Sequence, residues 1–184
     1  HDFYSSPPLT PYLDYFTLPE NERYFSYRFG PLEVFAASSD TAEPDGNAVT
    51  SVQGQYFHTR IAKSNAPWKI MTMHQPPYCS GGMHGSSPEM RWPYKEWGAD
   101  VVIAGHDRLY ERSAVEGFPY FVNGRGGRSV YALLPQQIPG SVNRTARDYG
   151  AQRGLVSDTF LAFEFYFRDG SLFDTLSIFR PRSP

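Results

Sequence analysis

The chain has 184 residues and a formal net charge of -2, with 40% hydrophobic and 16% aromatic residues, which is enough apolar mass for one sizeable core. Acidic and basic residues are scattered without a basic stripe that could neutralise a phosphate backbone, which argues against nucleic acid as a partner. The longest largely apolar runs, residues 70–73 and 101–104, fall far short of the roughly 20 residues that cross a bilayer, so no membrane span is expected, and the single cysteine, Cys79, excludes an intrachain disulfide framework.

The sequence opens at His1-Asp2 with neither an initiator methionine nor a signal-peptide pattern, so a preceding segment or processing is expected. Residues 3–22 hold Pro, Ser, Tyr and Asn without a sustained period and predict an ordered surface loop with one short turn and little core. Residues 24–28 and 32–37 flank Phe29-Gly30-Pro31 and predict a β-hairpin whose second strand is buried on both faces near its end. Residues 38–47 are turn chemistry. Across residues 51–63, Val52, Tyr56, Thr59, Ile61 and Ala62 recur at roughly helical spacing while Gln55, Arg60 and Lys63 fall elsewhere, which predicts an amphipathic helix. Gly54 weakens its first turn, and Ser64-Asn65-Ala66-Pro67 stops it.

Residues 68–73 predict a strand that enters the core and delivers His74 at its carboxyl end, just before the strand-breaking pair Pro76-Pro77. After a Gly/Ser loop, residues 93–97 predict a short helix with proline in its first turn, and residues 100–104 a second buried strand ending in Gly105-His106. A histidine at a strand exit therefore occurs twice. Downstream, residues 120–123 predict a short strand, 123–128 a glycine-rich turn, and 134–156 a loop-like lid or insertion. Residues 159–167 and 172–179 predict a hairpin about Arg168-Asp169-Gly170-Ser171, whose Asp-Gly pair is a strong turn signal.

In open α/β sheets ligands gather at the carboxyl edge of the strands, so His74 and His106 are expected to converge there, with His84 on the loop between them. Neutral imidazole suits Zn and Fe, yet a closed site wants about four ligands. Two readings stand on the residues alone: a metal site, or hydrogen-bonded structural histidines. His58, on the helix, reads as a surface or boundary residue. Tyr110-Glu111-Arg112 reads as fixing the loop after His106, Asp107 as a loop or supporting acid, and Cys79 as a packed small residue.

Four blocks, Met73-His74-Gln75-Pro76-Pro77-Tyr78, Met83-His84-Gly85, Trp97-Gly98-Ala99-Asp100-Val101-Val102-Ile103-Ala104-Gly105-His106-Asp107 and Tyr110-Glu111-Arg112, stand in the order found in calcineurin-like metallophosphoesterases. The chain most resembles the acid phosphatases of that superfamily, closely over residues 70–130 and loosely on the flanks. The resemblance implies an α/β (α+β) fold in which residues 1–184 are the C-terminal half of a two-sheet metallophosphoesterase sandwich flanked by helices. The N-terminal half of that single domain would then be the missing partner.

The same resemblance implies hydrolysis of a small phosphate ester by a hydroxide that bridges two metal ions, Fe with Zn or Mn or two of one kind. His74 and His106 would be ligands of one ion, and His84 would contact the substrate phosphate. His1-Asp2 resembles the end of the family's Gly-Asn-His-Asp/Glu motif, which would make His1 the phosphate-contacting or leaving-group histidine. The Asp-x-His and Gly-Asp motifs that carry the remaining carboxylate ligands are not found in these residues, so the metal set is expected to be incomplete here. Relatives of this kind are often exported, which fits a secreted or periplasmic protein.

One position departs from the pattern. The last histidine of the family's Gly-His-x-His motif would stand at 108, where this sequence has Arg108. A guanidinium offers five N–H donors and no lone pair, so it cannot ligate a metal. Arg108 could pair instead with substrate phosphate or with a ligand carboxylate. The alternative is a catalytically impaired pseudo-phosphatase or phosphate-binding module. A third reading is a structural fragment whose exposed apolar surface seeks its other half.

Overall fold

The computed structural model describes residues 2–4 and 9–181. Among them three α-helices occur, α1 (Thr10–Tyr15), α2 (Val52–Lys63) and α3 (Tyr94–Trp97). The strands run β1 (Phe25–Phe29), β2 (Leu32–Ala36), β3 (Trp68–Thr72), β4 (Val101–Ala104) and β5 (Tyr110–Val115). They continue with β6 (Phe118–Asn123), β7 (Ser141–Thr145), β8 (Gly150–Val156), β9 (Phe160–Phe167) and β10 (Leu172–Phe179). A seven-stranded sheet has the order β1-β2-β3-β4-β6-β5-β7, and a three-stranded sheet the order β10-β9-β8. This is the mixed α/β, two-sheet architecture that the resemblance implies.

Strands β2, β3, β4 and β6 pair in parallel, so their carboxyl ends leave the large sheet at one edge. Both faces of β3, β4 and β6 are covered, as parallel pairing requires. On one face Phe35, Met71 and Val102 pack with Phe57 and Ile61 of α2 and with Trp92, Tyr94 and Trp97. On the other, Trp68, Ile70, Val101 and Phe121 meet Leu161, Phe163, Phe165 and Phe167 of the small sheet. Alternation along each strand therefore builds two cores, one against helices and one between sheets. Tyr110 stacks on Phe165 across the sheet-to-sheet core at a centroid distance of 4.1 Å.

The hairpins form where the turn chemistry places them. Gly30 and Gly170 take φ of 52° and 84° in the β1–β2 and β9–β10 turns, a region that only glycine enters at little cost. In β2 only Phe35 is fully buried, so the expectation of a strand covered on both faces is met at one position.

Helix α2 exists within the expected range, capped by the Ser51 side chain, which accepts the Gly54 N–H, but it presents a different face. Gln53, Gly54, Phe57 and Ile61 are buried, whereas Val52 is 65% exposed. Gln53 is inside because its amide bonds the main chain of residues 38 and 46, which a hydropathy count cannot see. Gly54 is required there: a Cβ would sit 2.4 Å from the Val49 carbonyl oxygen and 2.7 Å from that of Ala48.

Three further stretches differ from the sequence expectation. Residues 10–15 form a helix with proline in its first turn, and Leu9 before it is buried. Residues 110–112, read as fixing a loop, begin strand β5, which lies between β6 and the edge strand β7. Residues 134–156, read as a lid or insertion, contain β7 and β8, which pair with β5 and β9. Their polar sequences suit strands exposed on one side, where long-range pairing outweighs weak local propensity.

A buried polar clamp ties the two sheets together. Asp174 of β10 accepts both Nε (2.7 Å) and Nη2 (2.8 Å) of Arg112 and the Tyr110 hydroxyl (2.8 Å), both from β5, and Nδ2 of Asn143 (3.1 Å) from β7. Burial alone would raise the Asp174 carboxyl, but the hydrogen bonds from Arg112, Tyr110 and Asn143 outweigh it and hold the group below its ordinary value.

Two outcomes follow for stability. Gly54→Ala is expected to destabilise by about 1–3 kcal/mol through overpacking, despite the roughly 1 kcal/mol that alanine gains in helix propensity, and urea unfolding reads the difference. Arg112→Ala leaves Asp174 charged and buried and is expected to cost about 3–5 kcal/mol at neutral pH. Because the folded carboxyl lies below the unfolded value of about 3.9, the clamp acts fully above that pH and is lost as pH falls through the folded value; unfolding midpoints of wild type and Arg112→Ala should approach each other there.

Candidate metal centre

Parallel pairing sets Ile70 opposite Val101 and Thr72 opposite Ile103, so the residues leaving β3 and β4 leave side by side. The Met73 N–H donates to Ile103 O (3.2 Å) and the Gly105 N–H to His74 O (3.0 Å), which extends the ladder to the two histidines. His106 then turns back in a left-handed conformation, φ 64°. A non-glycine residue pays about 1 kcal/mol or more for that conformation. It brings His106 Nδ1 to 2.9 Å from His74 Nε2.

That separation admits two chemistries. One imidazole can donate to the other, or both nitrogens can present lone pairs to one ion. Neighbouring ligands of an ion with metal–nitrogen bonds of about 2.0–2.1 Å stand close to this far apart, so the pair fits a shared metal. Burial pushes the His106 imidazole down to about 4, helped by the charges of His74 and His84, so it stays neutral at ordinary pH. Among the described residues no three His, Cys, Asp or Glu side chains form a complete metal-ligand group.

His84 joins from the loop after β3. Its ring centroid lies 4.1 Å from that of His106 and 5.6 Å from that of Tyr131. Asp107 holds this loop in place. Fully buried, it accepts the backbone N–H groups of His84 (3.3 Å) and Gly85 (2.9 Å) on separate oxygens, and the Cys79 thiol lies 3.3 Å from Oδ2. A Cβ at Gly81 would fall 2.0 Å from the same Oδ2, so only glycine allows the approach.

Glu111 pins the same loop from the next strand: it takes Ser80 N–H and Ser80 Oγ, both at 2.6 Å, and the Ser141 hydroxyl at 2.6 Å. The Tyr110-Glu111-Arg112 stretch thus fixes the loop before His106 and the small sheet, rather than the loop after His106. Asp107 is the loop-supporting acid that the sequence suggested, whereas the reach of Glu111 back to Ser80 and across to Ser141 was missed. Burial raises the Cys79 thiol far above its ordinary value, which keeps it a protonated, packed side chain.

Arg108 leaves the histidine pair. Its guanidinium lies over Tyr131, 4.4 Å from the ring centroid, and donates to Ser129 Oγ (3.0 Å), while the Tyr131 N–H donates to its carbonyl (3.2 Å). Among the described residues it forms no ion pair with a carboxylate. His58 is exposed and stacks on Trp97, 5.2 Å between centroids, away from the centre. His1 lies outside the described residues. Beside His74 and His106 a cavity of about 330 Å³ opens, lined among others by Phe3, Tyr12, Arg23 and Asp40.

Comparison with known proteins adds four findings. The calcineurin-like phosphoesterase family model matches residues 1–108, more than half of the chain. A phosphoenolpyruvate phosphatase of Allium cepa is 35% identical over 104 residues, which are 53% of this chain and 21% of that protein. A purple acid phosphatase of Glycine max is 41% identical over 59 residues, 29% of this chain and 13% of its own length. The chain thus spans about a fifth or less of these relatives. In structure it is similar to the purple acid phosphatase PPD1 from yellow lupin (Lupinus luteus) seeds, with a TM-score of 0.79 at 20% identity, covering 92% of this chain and 35% of that one.

The titration of the histidine cluster has a readable consequence. The unfolded imidazole takes a proton near pH 6.5, whereas His106 in the fold does so near 4. Between those values the unfolded state binds more protons, so stability should fall as pH falls through that window. In metal-free protein, thermal unfolding of His106→Gln should lose this part of the pH dependence; an unchanged slope would mean that His106 is not held neutral.

Proposed function

The chain belongs to the calcineurin-like phosphoesterase family, and from that premise we propose that it forms the C-terminal part of a single metallophosphoesterase domain that hydrolyses phosphate monoesters. The observation that carries the reading is the His74 Nε2–His106 Nδ1 pair, 2.9 Å apart at the exits of adjacent parallel strands, with the His84 ring beside it. Two nitrogen donors are fewer than the roughly four of a closed site, so the remaining ligands come from the N-terminal part of the domain. The proportions of the relatives are consistent with this.

In this reading His74 and His106 hold one of two ions. When bound, the ions would supply Lewis acidity toward the phosphoryl oxygens and a nucleophile from water at neutral pH. His106 remains neutral to about pH 4, so protons compete little for its lone pair. His84 donates to a phosphoryl oxygen, and its backbone, clamped to Asp107, keeps that donor fixed before the substrate arrives, which is what electrostatic stabilisation requires. His1, if the motif carries over, protonates the leaving alkoxide. The cavity of about 330 Å³ beside the pair lies at the lower end of the range for small-molecule sites and suits a small ester.

Arg108 favours a second reading. Since it cannot ligate a metal, the second ion would lose a donor, and the domain would act as an impaired phosphatase that still binds phosphate. Alternatively, a rotation off Tyr131 lets the guanidinium bind a phosphoryl oxygen pair in bidentate fashion. Metal content and aryl phosphate hydrolysis of the full-length protein decide between these, as found and as Arg108→His. Two ions with turnover support the enzyme; fewer ions and no turnover, both restored by histidine, support the impaired reading. In an active protein His84→Ala should lower kcat by about 10²–10³ with little loss of bound metal; an unchanged kcat would remove His84 from the reaction.

A further inference from the structure

Arg125 follows β6 on the glycine-rich turn, and it is only 1% exposed. Its Nη1 donates to the Arg108 carbonyl at 3.2 Å, while Nε and Nη2 are buried without an acceptor. Those two nitrogens form one edge of the planar fork, the edge that grips two oxygens of a phosphate or carboxylate side by side. A guanidinium stays charged at all accessible pH, and a buried charge without a partner is among the most costly groups a fold can hold.

Nothing described in the protein supplies the missing acceptor. The carboxylate whose charge acts on Arg125 is Asp148, and it is committed elsewhere: Oδ2 takes Arg168 Nε (3.0 Å) and Oδ1 takes the Tyr149 N–H (2.8 Å). The Tyr149 ring stands 5.8 Å from the guanidinium. Strand β8 runs beside the turn, with the Gly150 N–H donating to Arg125 O (3.3 Å). Gln152, two residues on and facing the same side, takes Asn123 Nδ2 on Oε1 (3.4 Å) and leaves its own buried Nε2 unpaired. The 123–125 segment and β8 therefore carry three buried nitrogens with N–H groups to donate and no acceptor. Buried polar groups left so in a native fold point to a bound water or ion.

We propose that Arg125 and Gln152 form an internal binding site for a small oxyanion of the phosphate type, at the seam between the two sheets. Arg125 grips two oxygens through Nε and Nη2, and Gln152 Nε2 donates to a third. Gly126 and Gly127, next in the chain, have open space where side chains would be. The site uses none of the histidines, and it stands whether or not the protein hydrolyses esters.

The test is thermal unfolding of the metal-free full-length protein with inorganic phosphate against chloride at matched ionic strength, which needs no turnover. Phosphate should raise the wild-type midpoint saturably. Arg125→Leu should abolish the rise, Gln152→Leu should increase the half-saturating phosphate concentration several-fold, and His84→Ala should leave the rise intact. No rise in wild type overturns the site, as would follow if water or a carboxylate from elsewhere in the protein fills it. A rise that survives Arg125→Leu, or one that His84→Ala removes, also overturns it by placing phosphate at the histidines. Should Arg125→Leu fail to fold, an unchanged half-saturating concentration in Gln152→Leu overturns it equally.

Discussion

Parallel pairing between β3 and β4 fixes where everything else can sit. With Ile70 opposite Val101 and Thr72 opposite Ile103, the next residues of both strands emerge together at one edge, and a hydrogen bond from Gly105 to His74 continues the ladder to the histidines themselves. A parallel pair demands a crossover, and the long connection between the two strands is where His84 lies. The cost of putting two imidazoles 2.9 Å apart is thus met by the sheet, because the flanking strands are buried on both faces and cannot slip by one residue without reversing every side chain.

Buried carboxylates then do the local positioning. Asp107 and Glu111 bind the main chain of the His84 loop at His84, Gly85 and Ser80, and Asp174 joins the two sheets through Arg112, Tyr110 and Asn143. Each carboxylate is satisfied by several donors, which is the condition under which a buried charge holds structure rather than weakening it. Burial, together with the charges of His74 and His84, keeps His106 neutral.

Two arginines, Arg108 and Arg125, stand on the segments that follow His106 and β6 and are joined through the Arg108 carbonyl. Arg108, where the resemblance would put a ligand histidine, lies on Tyr131 and Ser129, where its charge is spread over an aromatic face. Arg125 also lies over a ring, 5.8 Å from the Tyr149 centroid, and its Nη1 donates to the Arg108 carbonyl, but its Nε and Nη2 are buried without an acceptor.

By itself the sequence determined what depends on nearest neighbours along the chain. Apolar runs gave β3, β4 and β9, Asp169-Gly170 gave the last turn, and His74 and His106 stood at strand exits because Pro76-Pro77 and Gly105 end the strands there. The motif blocks around them carried the family. Tertiary structure decided whatever depends on which distant segment arrives. Polar β7 and β8 become strands only because β5 and β9 offer edges, α2 buries Gln53 and Phe57 instead of Val52 because loop carbonyls wait for the glutamine amide, and Arg125 is sealed inside by β8. Periodicity records local geometry alone; burial and hydrogen-bond partners are set by segments tens of residues apart, and no window of sequence contains them.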